Sequence, residues 1–375
     1  MKIGITCYPT YGGSGVVATE LGKMLAQRDH EVHFISYSVP FRFRDDLLNT
    51  MYHEVEVTTY PLFKYPPYDL ALACKMLEVI EAHGLDLLHV HYAIPHAISA
   101  FLAREMIPEK AIPFVTTLHG TDITIVGNDK SYFPVTRFGI DRSDGVTSVS
   151  DFLRVETRRL FGTEREIRVI PNFVDTERFR PEPNPCLRNR VAPEGEKILL
   201  HTSNFRRVKK IPTVIRIFAA VAEKIPARLL MVGDGPERAP AEDLVRELGL
   251  TDKVLFVGKQ DGVERMFQAA DLFLLPSEFE SFGLSALEAM SCGVPVIGAR
   301  GGGLPELVEH GNTGFVCDPG DAEAMGQAAI EYLTSETLQT EMPAKCRERV
   351  VESYEESAIA SEYEKYYEEV LAAVH

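Results

Sequence analysis

Short apolar runs alternate with amphipathic stretches along almost the whole chain. In the first half, the apolar runs have the length and branched residues of buried strands, and the stretches between them have helical spacing. The predicted strands are IGITCY, EVHFIS, DLLHVH, FVTTLH and GVTSVS, and the predicted helices include 17–28, 70–83 and 96–105. Such alternation predicts a doubly wound α/β fold with parallel sheets, whose ligand crevice lies at the carboxyl ends of the strands.

The second half repeats this layout, with KILLHTSN, ARLLMVGDG and VLFVG as strands and 211–222 as a helix. A chain of 375 residues is too long for one ordinary core and fits two domains. Five prolines between 171 and 193 are typical of a semi-rigid linker. We therefore predict a first domain at 1–170, a linker at 171–195 and a second domain at 196–352. The tail, 353–375, is predicted as a helix with one apolar face.

Composition narrows the class of protein. The net charge is −16 without a basic block, which argues against nucleic acid and against an anionic membrane surface as partners. Six cysteines without a CxxC pair indicate reduced thiols. The chain begins with a strand and contains no apolar run near the roughly 20 residues that span a bilayer. These features predict a soluble, cytoplasmic protein.

The most informative stretch runs from 272 to 298, LFLLPSEFESFGLSALEAMSCGVPVIG. It predicts a strand at 272–275, a helix at 281–290 and a strand at 294–297. The loop before that helix offers free N–H groups and the positive end of the helix dipole, which suit a phosphate. Glu280 in the loop and Glu288 about two turns later suit hydroxyls, so together they favour a sugar nucleotide. The alternative is that both glutamates are solvated surface charges.

Glycines follow the first strand, and 13–18 matches the dinucleotide fingerprint G-x-G-x-x-A. A dehydrogenase must therefore be considered. Its fingerprint also requires an acidic residue at the end of the second strand, where this chain has Ser36, Tyr37 and Ser38. A tight turn with a purely structural role is a further alternative.

Basic residues follow the first strand of the second domain in SNFRRVKK, where four cations occupy 206–210. Arg and Lys at the carboxyl end of a strand can clamp a diphosphate, although such clusters are often solvated surface. Among the histidines, His89, His91, His96 and His119 could be taken for metal ligands. No carboxylate lies beside them at a matching spacing, and the chain contains no Asp-x-Asp, so we predict no metal.

The motifs together resemble a known family. EFESFGLSALEAMSCGVPVIG resembles the signature of Glu, seven residues and Glu in retaining glycosyltransferases of family four, and GGGLPELVEHGNTGFV at 301–316 is similar to the segment that follows it. The strings YGGSGVVATELG, HVHYAIPHA, VTTLHGTDIT and SNFRRVKK resemble a subgroup that transfers N-acetylglucosamine from UDP-N-acetylglucosamine to L-malate in bacillithiol biosynthesis. The resemblance covers nearly the whole chain. It implies the GT-B fold, in which two Rossmann-like doubly wound domains face a central cleft, with the tail crossing back to the first domain.

The resemblance also implies roles for individual residues. Transfer would retain the α configuration and would need neither a metal nor another cofactor. The family usually has an Arg where this chain has Asn204, and Arg206 is the substitute that we predict. The predicted catalytic residues are His119, Arg206, Lys209 and Glu280; the predicted donor-binding residues are Gly13, Ser14, Gly15, Asn204, Ser281, Phe282, Gly283, Leu284 and Glu288; the predicted acceptor-binding residues are Tyr92, Thr121 and Asn172.

Two alternative functions stay open from the sequence. One is a family-four transferase with another small-molecule acceptor or a lipid-linked acceptor. A basic amphipathic stretch that would favour lipid is absent from the first domain. The other is a sugar-nucleotide-binding protein without catalysis. The residues that hold the malate carboxylates are also open, and a homodimer is compatible with the sequence.

Overall fold

The computed structural model describes residues 1–10, 12–43, 48–107 and 112–374. The chain forms two compact units. Met1–Asn172 together with Glu356–His375 make up the first unit, and Phe173–Glu355 make up the second. Each unit contains one parallel sheet with connecting helices, which confirms the predicted α/β class of two Rossmann-like domains.

The first unit has seven parallel strands in the order β3-β2-β1-β4-β5-β6-β7. The strands are β1 Lys2–Thr6, β2 Glu31–Ser36, β3 Thr50–Glu54, β4 Leu87–His91, β5 Phe114–Leu118, β6 Gly145–Ser148 and β7 Arg168–Val169. The helices are α1 Gly13–Gln27, α2 Tyr68–His83, α3 His96–Glu105, α4 Phe133–Arg142, α5 Asp151–Phe161 and, at the end of the chain, α14 Glu356–Val374. The strand order reverses beside β1 and β4, so the ligand crevice is expected at their carboxyl ends.

The second unit has six parallel strands in the order β10-β9-β8-β11-β12-β13. The strands are β8 Lys197–Ser203, β9 Ala227–Gly233, β10 Val254–Gly258, β11 Leu272–Leu275, β12 Val296–Ala299 and β13 Gly314–Cys317. The helices are α6 Pro185–Val191, α7 Ile211–Ala222, α8 Arg238–Glu247, α9 Glu264–Ala269, α10 Leu284–Ser291, α11 Leu304–Leu307, α12 Ala322–Thr334 and α13 Glu336–Ser353. Here the order reverses beside β8 and β11, whose following loops carry the basic cluster and Glu280.

Two helices begin at residues other than those that spacing predicts. Helix α1 begins at Gly13 and not at residue 17, so Gly13, Ser14 and Gly15 form its first turn and not a loop. A Cβ atom on Gly15 would lie 2.5 Å from the carbonyl oxygen of Tyr8, so close packing of the backbone requires this glycine. Helix α10 begins at Leu284 and not at residue 281, because Gly283 has a left-handed φ of 101° that a helix interior does not accept.

The segment predicted as a linker, 171–195, is folded onto the second unit from Phe173 onward. Pro185 starts helix α6, and the Asn184 side chain accepts a hydrogen bond from the backbone N–H of Leu187 at 3.2 Å. Arg188 on this helix forms an ion pair with Asp271 at 2.9 Å. Pro185 therefore begins a packed helix within the segment that is predicted as a semi-rigid linker.

Helix α14 packs on the first unit through the face that the sequence predicts. Ile359, Tyr363, Tyr366 and Val370 are buried, as is Tyr367. The Tyr366 hydroxyl accepts a hydrogen bond from the backbone N–H of Val146 at 2.9 Å, and the Tyr367 hydroxyl lies 2.7 Å from His89 Nδ1. Neither α14 nor any other helix in the described ranges combines the length and apolarity needed to cross a membrane.

Candidate active site

In the first unit, the turns that follow β1 and β4 meet at the carboxyl edge of the sheet. The Ser14 hydroxyl, in the first turn of α1, donates a hydrogen bond to the Tyr92 hydroxyl at 3.0 Å. Gly13 is exposed beside it. The first turn of a helix leaves N–H groups without intrahelical partners, so this edge offers donors to an anionic group. The structure thus places Ser14, from the predicted donor-binding set, against Tyr92, from the predicted acceptor-binding set.

His119 follows the neighbouring strand β5 and is held by Asp122. The buried Asp122 carboxylate accepts hydrogen bonds from the backbone N–H groups of Ala93, His119 and Gly120 at 2.9, 3.1 and 2.8 Å. Burial raises the pKa of Asp122 to about 6, and these three bonds oppose the rise. The carboxylate therefore ties the turn after β4 to the turn after β5.

The ring of His119 lies among other rings. Its Nε2 is 2.8 Å from His91 Nδ1, and the ring centres of Tyr92 and His119 are 5.4 Å apart. Burial, and secondarily the charge of His96, lowers the pKa of His119, so its imidazole is neutral near pH 7. A neutral imidazole can donate or accept one hydrogen bond at a sugar hydroxyl.

The other two residues that are predicted to bind the acceptor substrate differ in solvent exposure. Thr121 is exposed at the start of a single π-helical turn, Thr121–Ile125. Asn172 is only 7% exposed, and its Oδ1 has no hydrogen-bond partner within the described part of the chain. A buried amide oxygen without a partner is costly, so a ligand hydroxyl could satisfy it.

Two further histidines, His89 and His96, are buried near this edge of the first unit. His89 Nε2 lies 2.7 Å from the Thr117 hydroxyl, and its Nδ1 lies 2.7 Å from the Tyr367 hydroxyl. His96 Nδ1 lies 2.5 Å from the carbonyl oxygen of His91. Since both ring nitrogens of His89 are engaged, this residue has no lone pair left for the metal that the sequence brought into consideration.

In the second unit, the loops after β8 and β11 meet through an ion pair. Lys209 Nζ lies 2.6 Å from Glu280 Oε1, and the two side chains are 21% and 12% exposed. The backbone N–H of Glu278 donates to the carbonyl oxygen of Val208 at 2.9 Å, which joins the same two loops. Lys209 and Glu280 are therefore in direct contact although they are 71 positions apart in the chain. Both belong to the predicted catalytic residues.

A histidine that the sequence interpretation did not single out lies beneath this pair. His201 on β8 is fully buried, with Nδ1 2.8 Å from the carbonyl oxygen of Leu274 and Nε2 2.8 Å from the Ser203 hydroxyl. Burial lowers the pKa of His201 to about 4. The only sequence signal for it is one polar residue in the apolar run KILLHTSN.

Arg206 and Asn204 lie on the exposed part of the loop after β8. Arg206 precedes the 3₁₀ turn Arg207–Lys209, and no ion pair to another described residue engages its guanidinium. A Cβ atom on Gly235 would lie 2.1 Å from the carbonyl oxygen of Asn204, so the loop after β9 fixes the Asn204 backbone. Arg206 is thus placed on the same loop as the Lys209 ammonium, with its own charge uncompensated.

The glycines at 301–303 hold the backbone of Glu280. The Gly303 N–H donates to the carbonyl oxygen of Glu280 at 2.7 Å. Gly302 has a φ of 76°, and a Cβ atom there would lie 2.0 Å from the same oxygen. Only glycine allows this close approach, which gives a physical reason for a segment that the sequence marked by resemblance alone.

The start of α10 completes this edge of the second unit. Gly283 precedes the helix, and Leu284 is its first residue, so the first-turn N–H groups face the loop that carries Ser281. Phe282 is buried, with its ring centre 5.6 Å from that of Tyr354. Glu288 lies one turn further along α10 and is 7% exposed. One strand-to-helix connection thus carries all of these predicted donor-binding residues.

The buried histidines predict that stability falls as the pH is lowered from 7 to 5. Burial lowers the pKa of His89 to about 3, and those of His96 and His201 to about 4. In the unfolded chain, the pKa of histidine is about 6.5. The unfolded chain therefore binds more protons in this interval, and each histidine costs about 2 kcal/mol of folding free energy at pH 5. Asp122, with its raised pKa, acts in the opposite direction and offsets about 1 kcal/mol.

Calorimetric melting at pH 7, 6 and 5 measures this dependence, and we expect Tm to fall at each step. His201→Gln keeps polar atoms for the two partners but removes one titrating group. Its pH slope should therefore be lower by about one proton near pH 5. A Tm that stays constant or rises between pH 7 and pH 5 contradicts the prediction.

Comparisons with known proteins agree with this architecture. The family described as "Glycosyltransferase Family 4" matches residues 11–178, and the family described as "Glycosyl transferases group 1" matches residues 187–351. The chain is 51% identical over 373 residues to the N-acetyl-alpha-D-glucosaminyl L-malate synthase of Bacillus anthracis, covering 99% of this chain and 97% of that protein.

Solved structures show the same fold. The sucrose-phosphate synthase of Thermosynechococcus elongatus superposes with a TM-score of 0.82 at 25% identity, covering 100% of both chains. Anabaena HepE in complex with UDP-glucose gives a TM-score of 0.82 at 21% identity, again over 100% of both chains. The predicted GT-B fold is confirmed. Given two family matches that divide the chain between them and a full-length relative at 51% identity, the chain belongs to glycosyltransferase family 4 and is a sugar-transferring enzyme.

Proposed function

We propose that this enzyme transfers N-acetylglucosamine from UDP-N-acetylglucosamine to the hydroxyl of L-malate with retention of the α configuration, the first step of bacillithiol biosynthesis. The observation that carries the proposal is the Lys209–Glu280 ion pair beside the start of α10. It sets a cation for a diphosphate next to a carboxylate for sugar hydroxyls. The name of the full-length relative from Bacillus anthracis, N-acetyl-alpha-D-glucosaminyl L-malate synthase, contains the transferred sugar and the acceptor.

At the second unit, the donor's diphosphate takes up negative charge as it leaves. Lys209, Arg206 and the first-turn N–H groups of α10 stabilise that charge, and electrostatic stabilisation of this kind often contributes more to catalysis than any other effect. Glu280 accepts hydrogen bonds from the sugar hydroxyls, and Glu288 accepts them from the ribose. Ser281, Phe282, Gly283, Leu284 and Asn204 shape the loops that hold the donor.

The reaction balances without a protein nucleophile. The bond between the anomeric carbon and the diphosphate oxygen breaks, and UDP leaves with the electron pair. The malate hydroxyl forms its bond to the same face of the anomeric carbon, and its proton passes to the donor phosphate. Retention follows because attack and departure share one face.

At the first unit, His119 contacts the transferred sugar, and Tyr92, Thr121 and Asn172 contribute to the acceptor side. The first turn of α1, with Gly13, Ser14 and Gly15, donates N–H groups to an anion, which suits either the donor diphosphate or a malate carboxylate. The neutral state of His119 fits a hydrogen bond to a hydroxyl, whereas an imidazolium would be drawn to the diphosphate.

The positive charges that the proposal assigns to the diphosphate come from the protein. We therefore propose transfer without a metal or another cofactor, and we propose that it takes place in the cytoplasm. Nucleic acid and membrane have no part in the reaction. A homodimer stays a prediction from the sequence.

The test is UDP release by the purified enzyme with UDP-N-acetylglucosamine in the presence of a chelator. We expect release only when L-malate is added, and a product mass equal to the glycosylated acid. Succinate, which lacks the hydroxyl, is the matched control and should give no release. Donor binding without malate-dependent release would refute malate as the acceptor and favour a different acceptor or a non-catalytic protein.

A further inference from the structure

Three histidines from three separate elements of the first unit converge. His33 lies on β2, His53 on the neighbouring strand β3, and His83 in the last turn of α2. One ligand atom from each ring lies within 4.8 Å of the others. His33 Nδ1 is 2.9 Å from His53 Nε2, and the ring centre of His83 lies 4.5 Å from that of His33 and 5.1 Å from that of His53.

This cluster, named here the His33–His53–His83 cluster, includes the third residue of β2 and the fourth residue of β3, and it lies beside Lys2 and Glu31 at the amino ends of β1 and β2. Lys2, the first residue of β1, donates from Nζ to the carbonyl oxygen of His83 at 3.0 Å. The same ammonium lies 3.5 Å from Glu31, the first residue of β2. Ser14, Tyr92 and His119 follow β1, β4 and β5, whereas the cluster lies on β2, β3 and α2, so the two groups share no element.

Glu31 sets the tautomer of His33. Its Oε1 lies 3.0 Å from His33 Nε2, so this nitrogen carries the proton and donates to the carboxylate. The lone pair of His33 is therefore on Nδ1, which faces His53. A carboxylate that hydrogen-bonds the far nitrogen of a histidine is the usual outer partner of a metal-binding imidazole, because it orients the ring and raises its basicity.

Two of the three imidazoles, those of His33 and His53, are also in the neutral state that binds metals. Burial lowers the pKa of His53 to about 4 and lowers that of His33 as well, so both rings are neutral near pH 7. His33 is fully buried, whereas His53 and His83 are half-buried, which leaves an approach from solvent. An ion can reach these two rings without unfolding the sheet.

We propose that the His33–His53–His83 cluster binds one late first-row divalent cation, Zn²⁺ above all, with water as the fourth ligand. Imidazole nitrogen favours Zn²⁺, Ni²⁺ and Cu²⁺ over Mg²⁺ and Ca²⁺. Zn–N bonds of about 2.0–2.1 Å in a tetrahedron separate the nitrogens by about 3.3 Å. On binding, side-chain rotation lengthens the 2.9 Å distance between His33 Nδ1 and His53 Nε2 and shortens the longer distances between ligand atoms. The proton of His53 moves from Nε2 to Nδ1, so that Nε2 can bind the ion.

The binding experiment uses the full-length protein after dialysis against a chelator. We expect calorimetric titration with Zn²⁺ to give one ion per chain, Zn²⁺ to raise Tm, and Mg²⁺ to change nothing. Co²⁺ serves as a spectroscopic probe and should give the intense visible bands of a four-coordinate site. Titration without saturable Zn²⁺ binding, or a weak six-coordinate Co²⁺ spectrum, would overturn the proposal.

Variants separate this site from scattered histidines. His53→Gln and His83→Gln should each abolish the Co²⁺ bands, and Glu31→Gln should weaken Zn²⁺ binding about 10–100-fold as an outer partner does. His310→Gln, in the second unit, is the matched control and should bind Zn²⁺ like the unaltered protein. Unchanged Zn²⁺ affinity in both His53→Gln and His83→Gln would refute the site, and circular dichroism verifies that each variant is folded.

Discussion

Replacing Lys209 with Met is expected to lower kcat for glycosyl transfer about 10²–10³-fold, the loss that follows removal of one group stabilising a developing oxyanion. The ammonium is 2.6 Å from Glu280 and only 21% exposed, so its charge is poorly screened by water. Methionine keeps the unbranched apolar stem and most of the length of lysine but leaves the Glu280 carboxylate, 12% exposed, without its cation. Both the charge on the diphosphate and the position of Glu280 are therefore affected.

The adjacent residue offers a matched control. Lys210 forms its own ion pair with Glu278 at 2.8 Å, but these side chains are 36% and 60% exposed. An exposed pair of this kind contributes little, so Lys210→Met should change kcat less than about threefold. Steady-state kinetics with UDP-N-acetylglucosamine and L-malate measure both variants. Equal losses in Lys209→Met and Lys210→Met would mean that general surface charge, and not the Lys209–Glu280 pair, is responsible.

A second comparison separates the two effects of Lys209. Glu280→Gln removes the negative charge of the pair while it keeps the size and hydrogen-bonding oxygen of the side chain. If Glu280 binds sugar hydroxyls and Lys209 acts on the diphosphate, Lys209→Met and Glu280→Gln each lower kcat. The double variant then loses less than the product of the single losses, because the two residues are in contact. Strict multiplicativity would place the two groups in independent roles.

The sequence predicted the elements whose ends are marked by chemistry. Strand β11 ends at Leu275 because Pro276 cannot continue the ladder, and helix α3 spans the predicted 96–105. The start of α1 was predicted four residues late because glycine has a low helix propensity. Its presence there reflects the approach of the Tyr8 carbonyl to Gly15, and such packing is invisible in a one-dimensional pattern.

The sequence predicts only part of the candidate site. Periodicity placed Lys209 and Glu280 after strands, but it does not reveal that β8 and β11 are neighbours in the sheet, so their contact required the fold. The resemblance to family four implied a catalytic role for each residue but did not imply their contact. The roles of these residues stay predictions until the variants are measured.

The histidines illustrate the limit of spacing. His89 and His91 were considered as metal ligands because they lie close together in the chain. In the structure, His89 forms hydrogen bonds with Thr117 and with Tyr367 of helix α14. The His33–His53–His83 cluster escaped notice because its members are 20 and 30 positions apart on two strands and a helix. Only strand pairing and helix packing bring them within reach of one ion.

Placing alanine at Gly302 is expected to lower kcat/KM at least about 10²-fold, because a displacement near 1 Å at a catalytic group has an effect of that size. The new Cβ atom would lie 2.0 Å from the carbonyl oxygen of Glu280, whereas real contacts of this kind are no shorter than 3.0 Å. Both atoms are rigid parts of the backbone. The Glu280 segment must therefore move about 1 Å, and its carboxylate moves relative to Lys209.

Gly311→Ala is the control that isolates this contact. Gly311 has a φ of 78°, close to the 76° of Gly302, and no atom of a described residue lies within 4 Å of its added Cβ. In both variants, alanine in the left-handed conformation lowers the free energy of unfolding by about 1–2 kcal/mol. Tm measurements should show this loss in both. Only Gly302→Ala is also overpacked, which lowers its stability by a further about 1–3 kcal/mol. Only this variant should lose activity. If Gly311→Ala lost as much activity as Gly302→Ala, backbone strain in general would explain the effect. A selective loss in Gly302→Ala would mean that the glycines at 301–303 hold Glu280 in place for catalysis.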